Sequence, residues 1–265
     1  LAAVAMETWG QTPEGREMVF VPAGEFTMGT SEQEADALAQ EYGIHRSLFA
    51  IEGPKRTVNV KGFLIDRYPV TNEEYKRFLD ETGHPIPNYD VSWTDCRNYN
   101  WDPEKRTYPE GKSRHPAVLV TWEDALAYAS WASKRLPTEA EWERAARGTE
   151  GRRWPWGNEF IEERCNIKET GIGGTPPVGM YSPEGDSPEG MGDPLGNVWE
   201  WTSSLYKPYP YDPNDGRESL QASGWRVLRG ASWLNDLKVA RCTARLDGDF
   251  LFFTNVGFRC AASAE

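Results

Sequence analysis

One acidic stretch that contains glycine has the residue types of a cation site. In GDPLGNVWEW, residues 192–201, Asp193 and Glu200 lie on either side of Gly196 and Val198. A hard cation such as Ca²⁺ takes several oxygen ligands, from carboxylates and from backbone carbonyl groups. The two acids supply charge, and a glycine in the loop lets carbonyl groups turn toward an ion. The stretch therefore predicts a calcium-binding loop; the simpler alternative is a structural loop with two solvated acids.

Cysteine and histidine residues are few, and their spacing gives no metal or catalytic motif. The chain has no C-x-x-C pair, so a zinc site is not expected; its cysteines are Cys96, Cys165, Cys242 and Cys260. A chain this long folds without disulfides, so we expect mostly free thiols, with room for one disulfide. No two histidines lie four residues apart, and the fingerprints of zinc proteases, phosphate loops and dinucleotide-binding folds are absent.

Composition and charge exclude two classes of partner. The chain has 265 residues and a net charge of −12, so it lacks the basic surface that a nucleic-acid partner requires. No run approaches the roughly 18–20 apolar residues of a membrane span. We therefore expect a soluble protein, either cytoplasmic or displayed at the cell surface. The 12 tryptophans, 25 glycines and 19 prolines favour short strands and ordered loops over a helical bundle.

Local patterns predict the elements that position these residues. Capping boxes at Thr71, Thr121 and Thr138, each with an acidic residue three positions on, predict three helix starts. Residues 17–29 predict a hairpin or a bent strand, and residues 58–71 predict a strand that leads into the first capped helix. We expect residues 30–56 to form a charged loop.

The second half of the chain predicts shorter regular elements and more loops. Beyond residue 150, regular elements are short and the intervening stretches are dense in glycine and proline. Trp199 and Trp201 are two apart, so both rings share one face of a strand, where we expect them to pack in the core. Residues 85–115 form a long insert without periodicity. The layout predicts an α+β fold with a single domain at 17–265 and an N-terminal extension at 1–16.

Nine stretches, in order from residue 17 to residue 260, resemble the formylglycine-generating enzyme (sulfatase-modifying factor) family. They include MVFVPAGEFTMG, YPVTNEEYKRFL, KRLPTEAEWERAARG, GNVWEWTSS, RGASW and NVGFRC. One such match is weak, but nine in order cover nearly the whole chain. The resemblance implies the C-type lectin fold of this family, with little regular secondary structure and bound calcium.

The resemblance also locates a missing active site. The family's oxidases bind copper through two cysteines that follow the R-G-x-S stretch, because soft sulfur ligands suit Cu(I). In this chain the first of those positions is Asn235, and no cysteine lies between Arg229 and Arg241. Cys242 and Cys260 match structural cysteines whose usual partners correspond here to Ala129 and Ala146. The sequence therefore predicts that the copper-dependent oxidation is absent.

By the same resemblance, Asp193 and Glu200 ligate one calcium ion through their side chains, and Gly196 and Val198 do so through carbonyl groups. A second loop, CNIKETGIGGT, offers Asn166 and the carbonyl of Ile167. This loop is shorter than in the enzymes. Glu169 is its favoured acidic ligand on charge grounds, and Ile172 would add a carbonyl group. One or both ions would be structural, and their binding energy would appear as stability.

The C-terminal segment resembles the variable proteins of diversity-generating retroelements, which use the same fold. Its flanking residues match the family, but the residues between them are replaced by apolar and acidic ones. The candidate ligand-binding residues are Leu234, Asn235, Asp236, Leu237, Leu246, Asp247, Asp249, Phe250, Leu251, Phe252 and Phe253. Apart from Leu237, to which the comparison was not applied, their types agree with the replacements allowed at adenine-rich Asn codons, whereas Lys238 does not agree.

Two interpretations of the apolar run at residues 250–253 stay open. Either the run forms a solvent-facing site for a protein ligand, or it fills the core beneath the last strands. The first interpretation predicts a non-enzymatic binding protein whose site lies at about residues 230–256. The alternative is a modifying oxidoreductase whose active site these motifs do not reveal.

Overall fold

Short strands near the N-terminus are divided between two sheets. The computed structural model describes residues 17–92, 95–248 and 253–264. Strand β1 (Met18–Val21) pairs with β4 (Phe63–Asp66), whereas β2 (Gly24–Met28) pairs with β3 (Arg56–Val60). Strand β4 also pairs with β9 (Ala261–Ser263), so both ends of the described chain meet in one sheet. The stretch 17–29 is therefore a bent strand rather than a hairpin.

The expectation of a loop at residues 30–56 was wrong. Helix α1 spans Glu32–Tyr42 and the short helix α2 spans Ser47–Ala50. Ser31 and Glu34 form a capping box at the start of α1, and Gly43 ends the helix in a left-handed conformation. The two helices bury a small apolar cluster of their own, formed by Ala35, Leu38 and Phe49.

The three predicted capped helices are confirmed. They are α3 (Asn72–Thr82), α4 (Trp122–Trp131) and α5 (Glu139–Arg147), and each begins after a threonine in a complete capping box. The described residues of the insert at 85–115 form no helix and no strand. The insert is held by an isolated bridge between Asp102 and Thr107 and by hydrogen bonds between Asn100 and Tyr89.

A third sheet, of four strands, carries part of the candidate segment. Its order is β7 (Arg245–Gly248), β6 (Arg226–Arg229), β5 (Trp199–Leu205) and β8 (Val256–Gly257), and β8 runs parallel to β5. Trp199 and Trp201 are buried in the largest apolar cluster, which confirms their expected core role. Strand β7 lies at the edge of this sheet, directly before the apolar run.

Buried ion pairs hold the frame of the segment. Arg245 on β7 donates to Glu139 of α5, with Nε and Oε1 2.7 Å apart. Arg241 donates to Glu52, with Nη2 and Oε1 2.6 Å apart. All four side chains are buried, so removing one partner would leave an uncompensated charge in the interior. The polypeptide on either side of residues 242–244 is therefore fixed by long-range contacts.

The cysteines and the search for membrane helices add two further facts. All four cysteines are buried thiols that are not joined in disulfides, as expected for the majority of them. In the part of the chain that the structure describes, no helix has the length and apolarity needed to cross a membrane.

Candidate functional site

The first predicted calcium loop buries Asp193 with little compensation for its charge. Asp193 has a left-handed backbone, and its Oδ2 accepts the amide N–H of Gly179 at 2.7 Å. Burial raises the pKa of this carboxyl to about 6, although Gly179 and Arg259 act in the opposite direction. The arginine that acts on this carboxyl, Arg259, forms its ion pair with Glu200.

Glu200, the second predicted acid ligand, has partners within the chain. Its Oε2 accepts from Arg259 Nε at 2.6 Å and from Trp142 Nε1 at 2.8 Å, and its Oε1 accepts from Arg259 Nη2 at 2.7 Å. A carboxylate has about four lone-pair sites, so one site stays available for a further contact. The charges of this loop, two acids and one arginine, leave an excess of one negative charge.

The side chain of Asn197 indicates whether this loop has an oxygen atom available for a cation. The residue is buried, and neither its amide oxygen nor its amide nitrogen has a hydrogen-bond partner among the described residues. A buried amide without partners is costly, and a cation or its water would satisfy the oxygen. The donor set of Asp193, Asn197 and Glu200 thus fits a hard cation. Gly196 and Val198, the predicted carbonyl ligands, are also buried.

The second predicted loop is joined to the first but uses its oxygens internally. The carbonyl of Asn166 accepts the N–H of Asn197 at 2.8 Å. The carbonyl of Ile167 accepts from the N–H and the hydroxyl of Thr170. Ile172 is exposed, and Glu169 Oε1 accepts the backbone N–H of Leu237 at 3.0 Å. Of this predicted set, Asn166 and Ile167 are buried and Glu169 and Ile172 lie at the surface.

No acid-rich metal cluster supplements these loops. Residues 17–92, 95–248 and 253–264 contain no group of three or more His, Cys, Asp or Glu side chains placed to hold a metal. An ion at either loop would therefore depend on amide and carbonyl oxygens in addition to the acids.

The position of the family's first catalytic cysteine is built into a polar network. Ser232 Oγ donates to Asn235 Oδ1 at 2.6 Å, and Asn255 Nδ2 donates to Ser232 Oγ at 2.8 Å. Burial raises the pKa of the Cys165 and Cys242 thiols to about 12, so both are protonated at neutral pH. Thiolate chemistry needs the deprotonated form, which these two residues do not supply.

The first arm of the candidate segment, residues 234–239, presents a mixed surface. The side chain of Leu234 is 49% exposed, whereas Leu237 is half-buried against the main core. Asp236 is half-buried and forms an ion pair with Lys238, with Oδ2 and Nζ 2.5 Å apart. Lys168 N–H donates to the carbonyl of Asn235 at 2.9 Å, so the second predicted calcium loop supports this arm.

The second arm lies on edge strand β7 and its continuation. Leu246 is 41% exposed, and Asp247 is half-buried. Asp249, Phe250, Leu251 and Phe252 lie outside the described residues. Phe253 is half-buried, packs against the main core, and its carbonyl accepts the N–H of Leu119 at 3.1 Å. Two leucines on separate arms therefore provide the exposed apolar groups of the described segment.

Two residues that organise this region were not among the predicted site residues. Arg259 was recognised as part of the final family stretch, but its contact with Glu200 joins residues 59 positions apart. Asn197 lies inside the predicted calcium loop, yet its neighbours supplied all the predicted ligands. The available local signal was an asparagine directly after a glycine, and the structure gives that asparagine a left-handed backbone.

Comparison with known proteins agrees with this architecture. A model of the sulfatase-modifying factor enzyme 1-like domain matches residues 4–264. The chain is 35% identical over 291 residues to inactive C-alpha-formylglycine-generating enzyme 2 of Mus musculus, covering 93% of this chain and 86% of that protein. It is 36% identical over 299 residues to formylglycine-generating enzyme of Streptomyces coelicolor, covering 94% and 90%. Variable protein 1 of Treponema denticola matches with a TM-score of 0.67 and 20% identity, over 94% and 95%.

The fold and its loops define a single-domain α+β protein of the C-type lectin type found in formylglycine-generating enzymes. The chain belongs to the sulfatase-modifying factor family. Some of its relatives are named as enzymes and others as inactive enzymes. Family membership therefore does not decide whether this chain is an enzyme, and the residues of the site must be considered. At 20% identity, the likeness to variable protein 1 concerns the fold.

Proposed function

We propose that this chain is a non-enzymatic binding protein that holds a protein ligand on its C-terminal segment, at about residues 230–256. The observation that carries the proposal is the exposure of Leu234 and Leu246 on two arms that are anchored to the protein interior. Arg241 and Arg245 anchor those arms through buried ion pairs. Apolar side chains exposed on a rigid frame are typical of protein contact surfaces.

The chemistry of the segment supports binding rather than oxidation. Asn235 occupies the position that the family resemblance assigns to the first copper-binding cysteine. Ser232 donates a hydrogen bond to it, and Asn255 in turn donates to Ser232. The similarity to an inactive mouse relative agrees with this proposal. As in the variable proteins of diversity-generating retroelements, a conserved frame would carry replaceable contact residues.

Calcium at one or both loops is the structural part of the same proposal. At the first loop, Asp193, Glu200 and the Asn197 amide oxygen would meet the ion, with carbonyl groups of Gly196 and Val198. At the second loop, Asn166 would be joined by Glu169 and by the carbonyls of Ile167 and Ile172. Because Lys168 and Glu169 contact the first arm directly, an ordered second loop would also order the binding segment.

Site-specific photo-crosslinking tests the binding surface. A photo-reactive residue is placed at position 234, at position 246 or at the control position Leu48, which is a leucine of similar exposure on helix α2. We expect the same protein partner to be captured from positions 234 and 246, and not from position 48. Capture of one identical set of proteins from all three positions would contradict a dedicated surface at the segment.

The alternative function, a modifying oxidoreductase, is favoured by one observation: the 36% identity to an enzyme of Streptomyces coelicolor that bears that name. It requires a redox metal. Anaerobic loading with Cu(I), followed by metal analysis and oxygen uptake with a cysteine-containing peptide, separates the two functions. We expect no stoichiometric copper and no oxygen uptake; one copper per chain with peptide oxidation would favour the alternative.

A further inference from the structure

A groove lined by indole rings opens beside the candidate segment. It lies between the start of helix α4, the loop at residues 220–225 and the ends of β6 and β7, with a volume of about 470 Å³. Trp122, Trp201 and Trp225 contribute its aromatic walls. Trp225 is 54% exposed, which is unusual for so large a ring.

The wall of this groove is rigidly built. The guanidinium of Arg226 donates to four backbone carbonyls, those of Ser203, Ser219, Leu220 and Ala222, at 2.7–3.2 Å. It also stacks on the ring of Trp122, 4.1 Å from the centroid. Arg226 is buried, and its hydrogen bonds clamp the 219–222 loop in place. The groove is therefore preformed.

The floor of the groove explains the glycine that ends β7. A Cβ atom at Gly248 would lie 2.1 Å from Cζ3 of Trp201, so the indole ring occupies the space of a side chain at this position. Gly248 pairs with Arg226, and Leu246 pairs with Leu228, across the two strands. Alternate residues share one face of a strand, so exposed Leu246 lies on the same face as the groove. The groove and the second arm form a continuous surface.

The charges around the groove are negative where solvent can reach them. Glu123 is exposed in the lining, whereas Asp247 lies on the opposite face of β7 from Leu246 and Gly248. Arg226 is the one cationic residue among the lining residues that the structure describes, and its donors are taken by carbonyl groups. The rest of the chain adds to this field, with a net charge of −12. A cation in the groove would meet the exposed indole ring of Trp225 and the carboxylate of Glu123.

We propose that this groove binds a positively charged side chain, an arginine or a lysine, from a basic segment of a protein partner. Trp225 supplies the aromatic face, Glu123 supplies the charge, and the clamped 219–222 loop supplies the shape. This site is not among the candidate residues of the segment, and its occupation by a cation does not require that the segment bind a ligand. If both bind, the groove sets the register of the partner on the surface.

Titration with small peptides tests the groove directly. The probe is the blocked tripeptide acetyl-Gly-Arg-Gly-amide, and its control contains citrulline, which keeps the shape of arginine and removes the charge. Binding is followed through the indole N–H resonances of the ¹⁵N-labelled full chain. We expect saturable shifts at Trp225 and an affinity for the arginine peptide about tenfold higher than for the citrulline peptide.

Matched variants assign the effect to the groove. Trp225→Ala should abolish saturable binding, and Glu123→Gln should weaken it about fivefold. Glu73→Gln is the control, because Glu73 is also exposed in the first turn of a capped helix but lies on α3. Leu234→Asp should leave the arginine peptide unaffected, which separates a failure of the groove from a failure of the segment. Equal affinity for both peptides, or full binding by Trp225→Ala with a wild-type melting curve, would overturn the proposal.

Discussion

Replacement of Arg259 by methionine is expected to lower the free energy of unfolding by about 3–5 kcal/mol. Arg259 is completely buried and forms a bidentate ion pair with Glu200. It also donates to the carbonyls of Asp66, Arg67, Gly192 and Asp193. Methionine fills a similar volume but leaves Glu200 buried and without its cation, and it removes one hydrogen-bond donor from each of four carbonyls.

Urea denaturation of wild type and variants measures this loss. Arg259→Lys keeps the charge but loses the fork geometry, so its stability should lie between those of wild type and Arg259→Met. The lysine variant provides the measurement if the methionine variant does not fold. Arg46→Met is the control, because Arg46 pairs with Asp36 at 3.1 Å and both side chains are largely exposed. That variant should change stability by less than about 1 kcal/mol. A wild-type denaturation midpoint for Arg259→Met would contradict the role assigned to this arginine.

The second large effect concerns Asp193 and depends on pH. Its folded-state pKa of about 6 lies above the ordinary value of 3.8, because burial disfavours the charge. The folded state therefore holds the proton more tightly. Without a metal, stability should decrease as the pH rises from about 4 to about 6, and the full penalty should persist at neutral pH. In chelator at pH 7, Asp193→Asn should raise the free energy of unfolding by about 2–3 kcal/mol.

Calcium should reverse the order of these two proteins. An ion at 100 times its dissociation constant stabilises the folded state by about 2.7 kcal/mol, and the charged ligand should bind it more tightly than the amide. Asp36→Asn is the control, because Asp36 pairs with Arg46 at the surface and its loss should change stability by less than about 1 kcal/mol in either condition. Melting curves from pH 4 to pH 8, with chelator or with calcium, test both statements. Identical curves with and without calcium would remove the ion from the first loop.

Local signals predicted the helices well because the residues that cap the start of a helix lie close together in the sequence. The boxes that begin at Thr71, Thr121 and Thr138 each place an acceptor and an acid three positions apart, and all three are formed. The same signal at Ser31 and Glu34 was present but was outweighed by the many charges that follow. Helix α1 buries only a small cluster, so its apolar pattern is weak.

Contacts between distant residues could not be predicted from local patterns. The division of β1 and β2 between two sheets depends on partners near residues 60 and 260. The ion pair of Arg241 with Glu52 spans 189 positions. No short pattern records such a pair, although the NVGFRC stretch did include Arg259.

The candidate site was predicted in its parts but not in its connections. The sequence indicated two loops and one variable segment as separate features. The structure joins the loops through Asn166 and Asn197, and it joins the second loop to the segment through Glu169 and Leu237. Trp225 received no role because its exposure depends on how the 219–222 loop is clamped by Arg226.

The affinity of the crosslinked partner for segment variants tests the central claim most directly. The partner captured from positions 234 and 246 is purified, and its dissociation constant is measured with wild type, Leu234→Asp and Leu48→Asp. A charge in an apolar contact typically costs several kcal/mol, so Leu234→Asp should weaken binding by about 30-fold or more. Leu48→Asp should change the dissociation constant less than about twofold. Equal affinities for all three proteins would contradict a binding surface on the C-terminal segment.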